Sequence, residues 1–466
     1  MIGIRNIIIT FLTILCFCSS LLAQENILDT YIKEGLENNQ SLKQKLFSYD
    51  KSLLALKEAR GLFLPDISLN ARYSIANGGR VIEFPVGDML NPVYSTLNQM
   101  TTQMYALGLA DEVFPATELE NEEIEFLRPH EQETKLQLIQ PIFNPQVFFN
   151  YKIKKDLVDI KKTDVQTYKR ELVAEIKKAY YSYIKTEHFL NLIDKTTALA
   201  NENIRVNEKL FENDKVTIDA VYRSKSELSK LEQQKAEIVK NNKSSKAYFN
   251  FLLNKPLNSD INFVDDNIVE FENELEQAKT NALTNREEFS KLEIYSNINE
   301  KNIKLNKFNG LPTLTGAVDY GFQGEEYSFT DDDDFVLASI VLRWELFKGF
   351  QNKYKIQQAK IDSYILQSKD EELKNQIQLQ VINSYYDIEA SQKTLVSAKD
   401  QELTAVKAYN IIGKKYKEGQ ISLLEYIDAR TTMTNAQQNV IIRKYDLKIK
   451  YAEFERITAM YPLNEE

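Results

Sequence analysis

Two carboxylates stand out by their spacing. Glu425 and Asp428 lie three residues apart in Ser422-Leu-Leu-Glu-Tyr-Ile-Asp, a stretch of helical composition, so both project from one face of a helix. A pair of acids on one face draws cations and repels anions. The same glutamate completes Ser422-x-x-Glu425, the spacing of a capping box that satisfies free N–H groups at a helix start. The two roles are compatible. Catalytic patterns do not occur. The chain has two histidines, His130 and His188, far apart and without metal-ligand spacing. It carries no Gly-x-Ser-x-Gly, no phosphate-cradling glycine loop and no dinucleotide fingerprint. No enzyme activity, cofactor or metal is expected.

Charge and targeting narrow the class further. The 466 residues carry a net charge of −10, which makes the chain a poor partner for nucleic acid. Residues 1–23 read as an export signal: Arg5, an apolar run from Ile7 to Phe17, then small residues up to Ala23. That run is shorter than the ~20 residues of a spanning helix. Both cysteines, Cys16 and Cys18, fall in the signal, so no disulfide or thiolate site is expected in the exported protein. Neither follows a small residue, so no lipid anchor is expected.

The elements that position the acidic pair are duplicated. Leu36-x-Asn38-x-x-x-Leu42 returns as Leu283-x-Asn285-x-x-x-Phe289, and Leu64-Pro65 as Leu311-Pro312, both 247 residues later. Downstream the offset falls to 204 or 205, where Leu138-x-x-x-Ile142-Phe143 meets Leu342-x-x-x-Leu346-Phe347, Tyr180-Tyr181 meets Tyr385-Tyr386, and Phe211 meets Tyr416. The first copy therefore holds 43 extra residues between its two strands. Solenoid periods run about 20 to 50 residues, so this is duplication of a whole substructure.

Each copy joins alternating strands to very long helices. Strands are expected at about 64–76, 134–143, 311–323 and 335–346, each near the roughly 9–11 residues of a membrane-spanning strand. Ile67, Leu69, Ala71, Tyr73 and Ile75 share one face of the first, and Asp66, Ser68, Asn70, Arg72 and Ser74 the other. Trp344, the only tryptophan, ends the last strand on its apolar face, as a membrane-interface aromatic would. Long helices are expected at about 147–213 and 349–416, free of proline and ~100 Å long. Each turns back sharply, at Asn213-Asp214-Lys215 and at Glu418-Gly419-Gln420, into a shorter helix. The domain reading is a first repeat over 24–254, a linker over 255–274, a second repeat over 275–460 and a tail over 461–466. Four strands cannot close a barrel, and an open edge in lipid leaves backbone groups unsatisfied, so oligomerisation is expected. Three copies would give twelve strands and room to conduct.

This architecture resembles the TolC-like outer-membrane efflux protein family over about residues 26–460. The motifs that carry the likeness are Leu64-Pro65-x-Ile67 and Leu311-Pro312-x-Leu314, Gln140-Pro141-Ile142-Phe143 and Trp344-x-Leu346-Phe347-x-Gly349, and Gly419-x-Ile421-x-x-Leu424-x-x-Ile427-Asp428-Ala429. The resemblance implies a mainly α fold with a membrane β-barrel portion: a homotrimer with four strands per protomer in a shared twelve-stranded barrel, and a long α-helical periplasmic tunnel. It implies the outer membrane of a Gram-negative cell, with most of the chain in the periplasm. It further implies a passive exit channel of a tripartite efflux or type I secretion system, opened by a periplasmic adaptor (membrane fusion) protein. An inner-membrane efflux pump or ABC exporter would choose the cargo.

By the same resemblance, Glu425 and Asp428 ring the narrow periplasmic entrance, and Tyr416 matches a tyrosine that helps hold it shut. Ile421 stands where a gating arginine is expected. Ala220 stands where a gating acid is expected, with Asp219 beside it, and Asp214 takes the place of a turn glycine. Asp214, Lys215, Gly419 and Gln420 are the expected adaptor-contacting turns. The segment from Asn77 to Glu133, with Pro85, Pro92, Pro115 and Pro129, reads as a long extracellular loop, either a lid or surface-recognition element or a tolerated insertion. Asp331 to Asp334 in the other loop offers ligands for a divalent cation among lipid headgroups, or is a solvated acidic tip. The rival class is a non-conducting periplasmic or surface coiled-coil protein. It explains the long helices and the acidity but not four alternating strands.

Overall fold

The computed structural model describes residues 27–113, 118–265, 271 and 273–463. The export signal, Pro115, part of the linker and residues 464–466 lie outside them. The chain divides into a sheet-bearing unit, 57–151 with 305–353, and a helical unit formed by the remainder.

The sheet-bearing unit contains strands β1 (Asp66–Ile75), β2 (Val81–Phe84), β3 (Glu122–Glu125), β4 (His130–Phe143), β5 (Thr313–Gly324) and β6 (Asp334–Arg343). Four of them form one antiparallel sheet in the order β1-β4-β5-β6. One face presents Ile67, Leu69, Tyr73, Ile75, Leu136, Val318, Tyr320, Val336, Ile340 and Leu342, all exposed. The opposite face is polar across β1, β4 and β5, while β6 adds the exposed Leu337 and Val341 to it. There Lys135 pairs with Glu133 at 2.8 Å and Asp319 at 3.1 Å, Gln137 donates to Asp319 at 3.0 Å, and Arg72 meets Glu133 at 3.2 Å. Gly321 sits where β5 crosses close to β4, since a Cβ there would lie 2.3 Å from the Thr134 carbonyl oxygen.

β6 ends one residue short of Trp344. Its ladder stops at the pair Thr313–Arg343, because the next residue of β5 would be Pro312, which has no N–H to donate. The Trp344 indole instead donates to the Gly310 carbonyl at 3.0 Å. The run Asp331 to Asp334 is a hydrogen-bonded turn, in which the Asp333 carboxylate accepts from the Ser328 and Thr330 hydroxyls. Between β1 and β4, where the prolines suggest a plain loop, the chain forms the β2–β3 ribbon and a 21-residue helix from Val86 to Ala106.

In the helical unit, α1 (Ile27–Asn38) and α2 (Gln40–Gly61) come first in the chain; the Val86–Ala106 helix is α3. They are followed by α4 (Pro145–Glu212), α5 (Ile218–Leu252), α6 (Leu275–Asn285), α7 (Glu287–Phe308), α8 (Gln351–Lys417) and α9 (Leu423–Ile457). The first helical stretch breaks at Asn39, and the corresponding stretch of the second copy breaks 247 residues later at Arg286. Asn39 caps the new helix by accepting from the Leu42 N–H at 3.0 Å while donating to the Leu252 carbonyl at 2.9 Å. Arg286 breaks the helix with an extended backbone (φ −76°, ψ 131°) and is held by Glu288 and Gln380.

The buried core repeats as the sequence does. Leu172, Ile176, Tyr183 and Phe249 of one cluster correspond, 205 residues on, to Ile377, Val381, Ile388 and Phe454 of the other. Ion pairs tie the copies together: Arg170 reaches Glu287 at 2.7 Å and the Tyr461 carbonyl at 3.0 Å, and Lys291 reaches Asp164 at 2.5 Å. Among the described residues no helix is long and apolar enough to cross a membrane.

Candidate functional site at the helical turns

The two hairpins of the helical unit, α4–α5 and α8–α9, turn by the same device. Asp214 (φ +56°) and Gly419 (φ +74°) occupy equivalent left-handed positions. After each, the chain closes back onto the helix, Lys215 N–H to Leu210 and Gln420 N–H to Lys415, both at 2.9 Å. The left-handed region suits glycine and is tolerated by aspartate, which explains Asp214 at a glycine position. Asp214, Lys215, Gly419 and Gln420 are all exposed.

Just past the second turn, Ser422 caps α9. Its hydroxyl accepts from the Glu425 N–H at 3.3 Å and donates to the Glu425 carboxylate at 3.0 Å. Glu425 and Asp428 both lie on the exposed side of α9, away from the buried Tyr426, Ala429 and Arg430. Capping therefore uses Glu425 without removing its charge from the exposed face. Asp219 is also exposed, but it bonds the Thr217 hydroxyl and lies 3.4 Å from Arg223 on its own helix.

Tyr416 is only 4% exposed and spans the two hairpins. Its ring stacks on Tyr426 at 4.8 Å, and its hydroxyl donates to the Asn207 side-chain oxygen. Asn207 in turn donates to the Ser224 hydroxyl at 2.7 Å and to Asn203 at 3.3 Å, while the Tyr409 and Tyr426 hydroxyls meet at 3.0 Å. Burial raises the Tyr416 and Tyr426 phenols above the ordinary tyrosine range, so both stay protonated. One helical turn further, the buried Arg430 bonds Glu227 at 3.1 Å, and its other terminal nitrogen, also buried, has no hydrogen-bond partner.

The structure thus joins Tyr416 to Asn207 rather than to Asp219 or Asp214. Asn203, Asn207, Ser224, Glu227, Tyr426 and Arg430 complete a hydrogen-bonded network that motif reading misses. Its parts lie on two hairpins about 200 residues apart, and mid-helix asparagines and serines carry no periodic signal.

Residues 279–459 match a family model described as "Outer membrane efflux protein". No curated protein matches the chain. Among solved structures, the Campylobacter jejuni CmeC outer membrane channel aligns with a TM-score of 0.74 at 14% identity, over 93% of this chain and 85% of its own. The outer membrane protein VceC from Vibrio cholerae aligns with a TM-score of 0.70 at 12% identity, over 92% and 95%. The Neisseria gonorrhoeae MtrE outer membrane channel, in an open state, aligns with a TM-score of 0.69 at 14% identity, over 92% and 88%. At these identities the likeness is one of fold.

Proposed function

We propose that the chain is an outer membrane efflux protein, the family whose model matches residues 279–459, and that three copies form the exit duct of a tripartite export machine. The observation that carries the reading is the four-stranded sheet. One face is apolar and exposed on all four strands, the other carries a charged network across β1, β4 and β5, and both β1 and β6 have a free edge. In lipid each unsatisfied backbone group on such an edge costs several kcal/mol, so a neighbour must pair with it. Three sheets joined β6 to β1 make a closed barrel of twelve strands, with the apolar face toward lipid and the Lys135–Asp319 network toward the lumen. A coiled-coil spacer would have no use for that apolar face.

The hairpin turns serve as the periplasmic gate in this reading. Three copies of Glu425 and Asp428 line the entrance and favour cations. The Tyr416–Asn207 bond and the Arg430–Glu227 pair hold the two hairpins of each protomer together. A periplasmic adaptor, itself coupled to an inner-membrane pump or exporter, docks on the exposed turns at Asp214-Lys215 and Gly419-Gln420 and stabilises the separated state. Light scattering of the detergent-extracted protein tests the assembly. A mass of three chains is expected, and a detergent-free soluble monomer contradicts it.

A further inference from the structure

Helix α3 is held by one side only. Asn91 exchanges two hydrogen bonds with the Leu119 backbone, both at 2.9 Å, and Asn121 accepts from the Asp88 N–H at 3.1 Å. Gly87 lies against the same strap, since a Cβ there would sit 2.2 Å from the Leu119 carbonyl oxygen. These contacts fix the polar side of the helix, which carries Ser95, Asn98 and Thr102. The apolar side is left bare: Met89, Val93, Leu97 and Met100 each expose at least half of their surface, and Met104 continues the stripe. Their spacing of three or four residues makes one continuous face. A helix of this length without packing is marginal in water, and a bare apolar stripe marks a contact surface.

Charge selects the occupant. Residues 77–129 hold nine acidic residues against two arginines and no lysine. Helices that lie on anionic membrane surfaces carry lysine and arginine on their polar face, and an acidic segment is repelled by such a surface. The apolar face itself has no charge, so copies of it can meet without repulsion. The connection carrying α3 leaves the sheet from edge strand β1 at its Ile75 end, opposite the end that joins α2 and α4. Barrel closure therefore brings all copies of α3 to the same outer rim.

We propose that α3 is an outer gate, in which the three copies in the trimer pack their Met89–Met104 faces on one another across the barrel mouth. This rests on the trimeric-duct reading, and the test separates the two. Leu97→Cys and, on the polar side, Ser95→Cys are each introduced into the full chain, which is reconstituted in phospholipid vesicles, oxidised and weighed by light scattering. A trimer in which Leu97→Cys gives disulfide-linked dimers and Ser95→Cys does not is the expected result. A trimer with no cross-link, or equal cross-linking from both positions, overturns the gate and leaves the duct standing. A monomer overturns both. Benzophenone attached at Leu97→Cys that captures lipid instead of protein assigns α3 to the outer leaflet and overturns the gate. In planar bilayers, Leu97→Asp/Met100→Asp is expected to raise single-channel conductance at least twofold, and an unchanged conductance overturns occlusion.

Discussion

Replacing Tyr416 with phenylalanine removes one hydroxyl and keeps the ring that stacks on Tyr426. The lost group donates to the side-chain oxygen of Asn207, a residue that is 0% exposed. In the closed state that oxygen then has neither its donor nor water, which costs about 1–3 kcal/mol. Separated hairpins hydrate the amide and avoid the cost, so the substitution favours opening by roughly 5- to 150-fold in each protomer. The assay is single-channel open probability in planar bilayers for wild type and Tyr416→Phe, with unfolding midpoints measured in parallel. An open probability raised at least fivefold is expected. Asn207→Ala breaks the same bond, so the double variant should open little more than the stronger single. Unchanged gating in Tyr416→Phe would refute a locking role and leave Tyr416 as helix packing.

Other substitutions separate stability from selectivity. Glu425→Gln/Asp428→Asn should lower the cation preference seen as a reversal potential in a KCl gradient, whereas Ser422→Ala should cost about 1 kcal/mol of stability as a lost cap and leave that potential in place. Arg170→Ala strands the largely buried Glu287 carboxylate and frees the Tyr461 carbonyl, so a loss of about 3–5 kcal/mol in urea unfolding is expected, and a loss below ~1 kcal/mol would mark a solvent-screened pair. Asp214→Gly relieves a left-handed aspartate and should stabilise by up to about 1 kcal/mol, with Gly419→Ala destabilising by a similar amount. Burial lowers the His188 imidazole below its usual 6.5, with the nearby Asp265 opposing the shift. The unfolded chain then takes up the proton first, so this contribution to stability is full above pH 6.5 and is lost as pH falls toward the lower folded value. His188→Gln should flatten that part of the pH profile, and an unaltered profile would assign the dependence to other groups.

Strand alternation and the paired Leu-Pro dipeptides were legible in the sequence because a half-solvated sheet must alternate and each Leu-Pro stands just before its strand, β1 starting at Asp66 and β5 at Thr313. The positions of Ile67 to Ile75 and of Leu314 to Phe322 follow from period two alone. The helix breaks at Asn39 and Arg286 were not, since neither proline nor glycine marks them. Both depend on distant partners, the Leu252 carbonyl and Gln380. Helix α3 was hidden by composition: four prolines between Asn77 and Glu133 suggested a plain loop, although Met89, Val93, Leu97, Met100 and Met104 carry a helical period. At the turns, the Ser422–Glu425 cap was readable from four residues, whereas the bond from Tyr416 to Asn207 crosses 209 positions and exists only in the packed hairpins.

The central claim is that this chain conducts as a trimer, and planar-bilayer recording of the purified, detergent-extracted trimer tests it most directly. Discrete, cation-selective conductance steps are predicted. A detergent-extracted trimer that never conducts, or a protein that needs no detergent, would contradict the account.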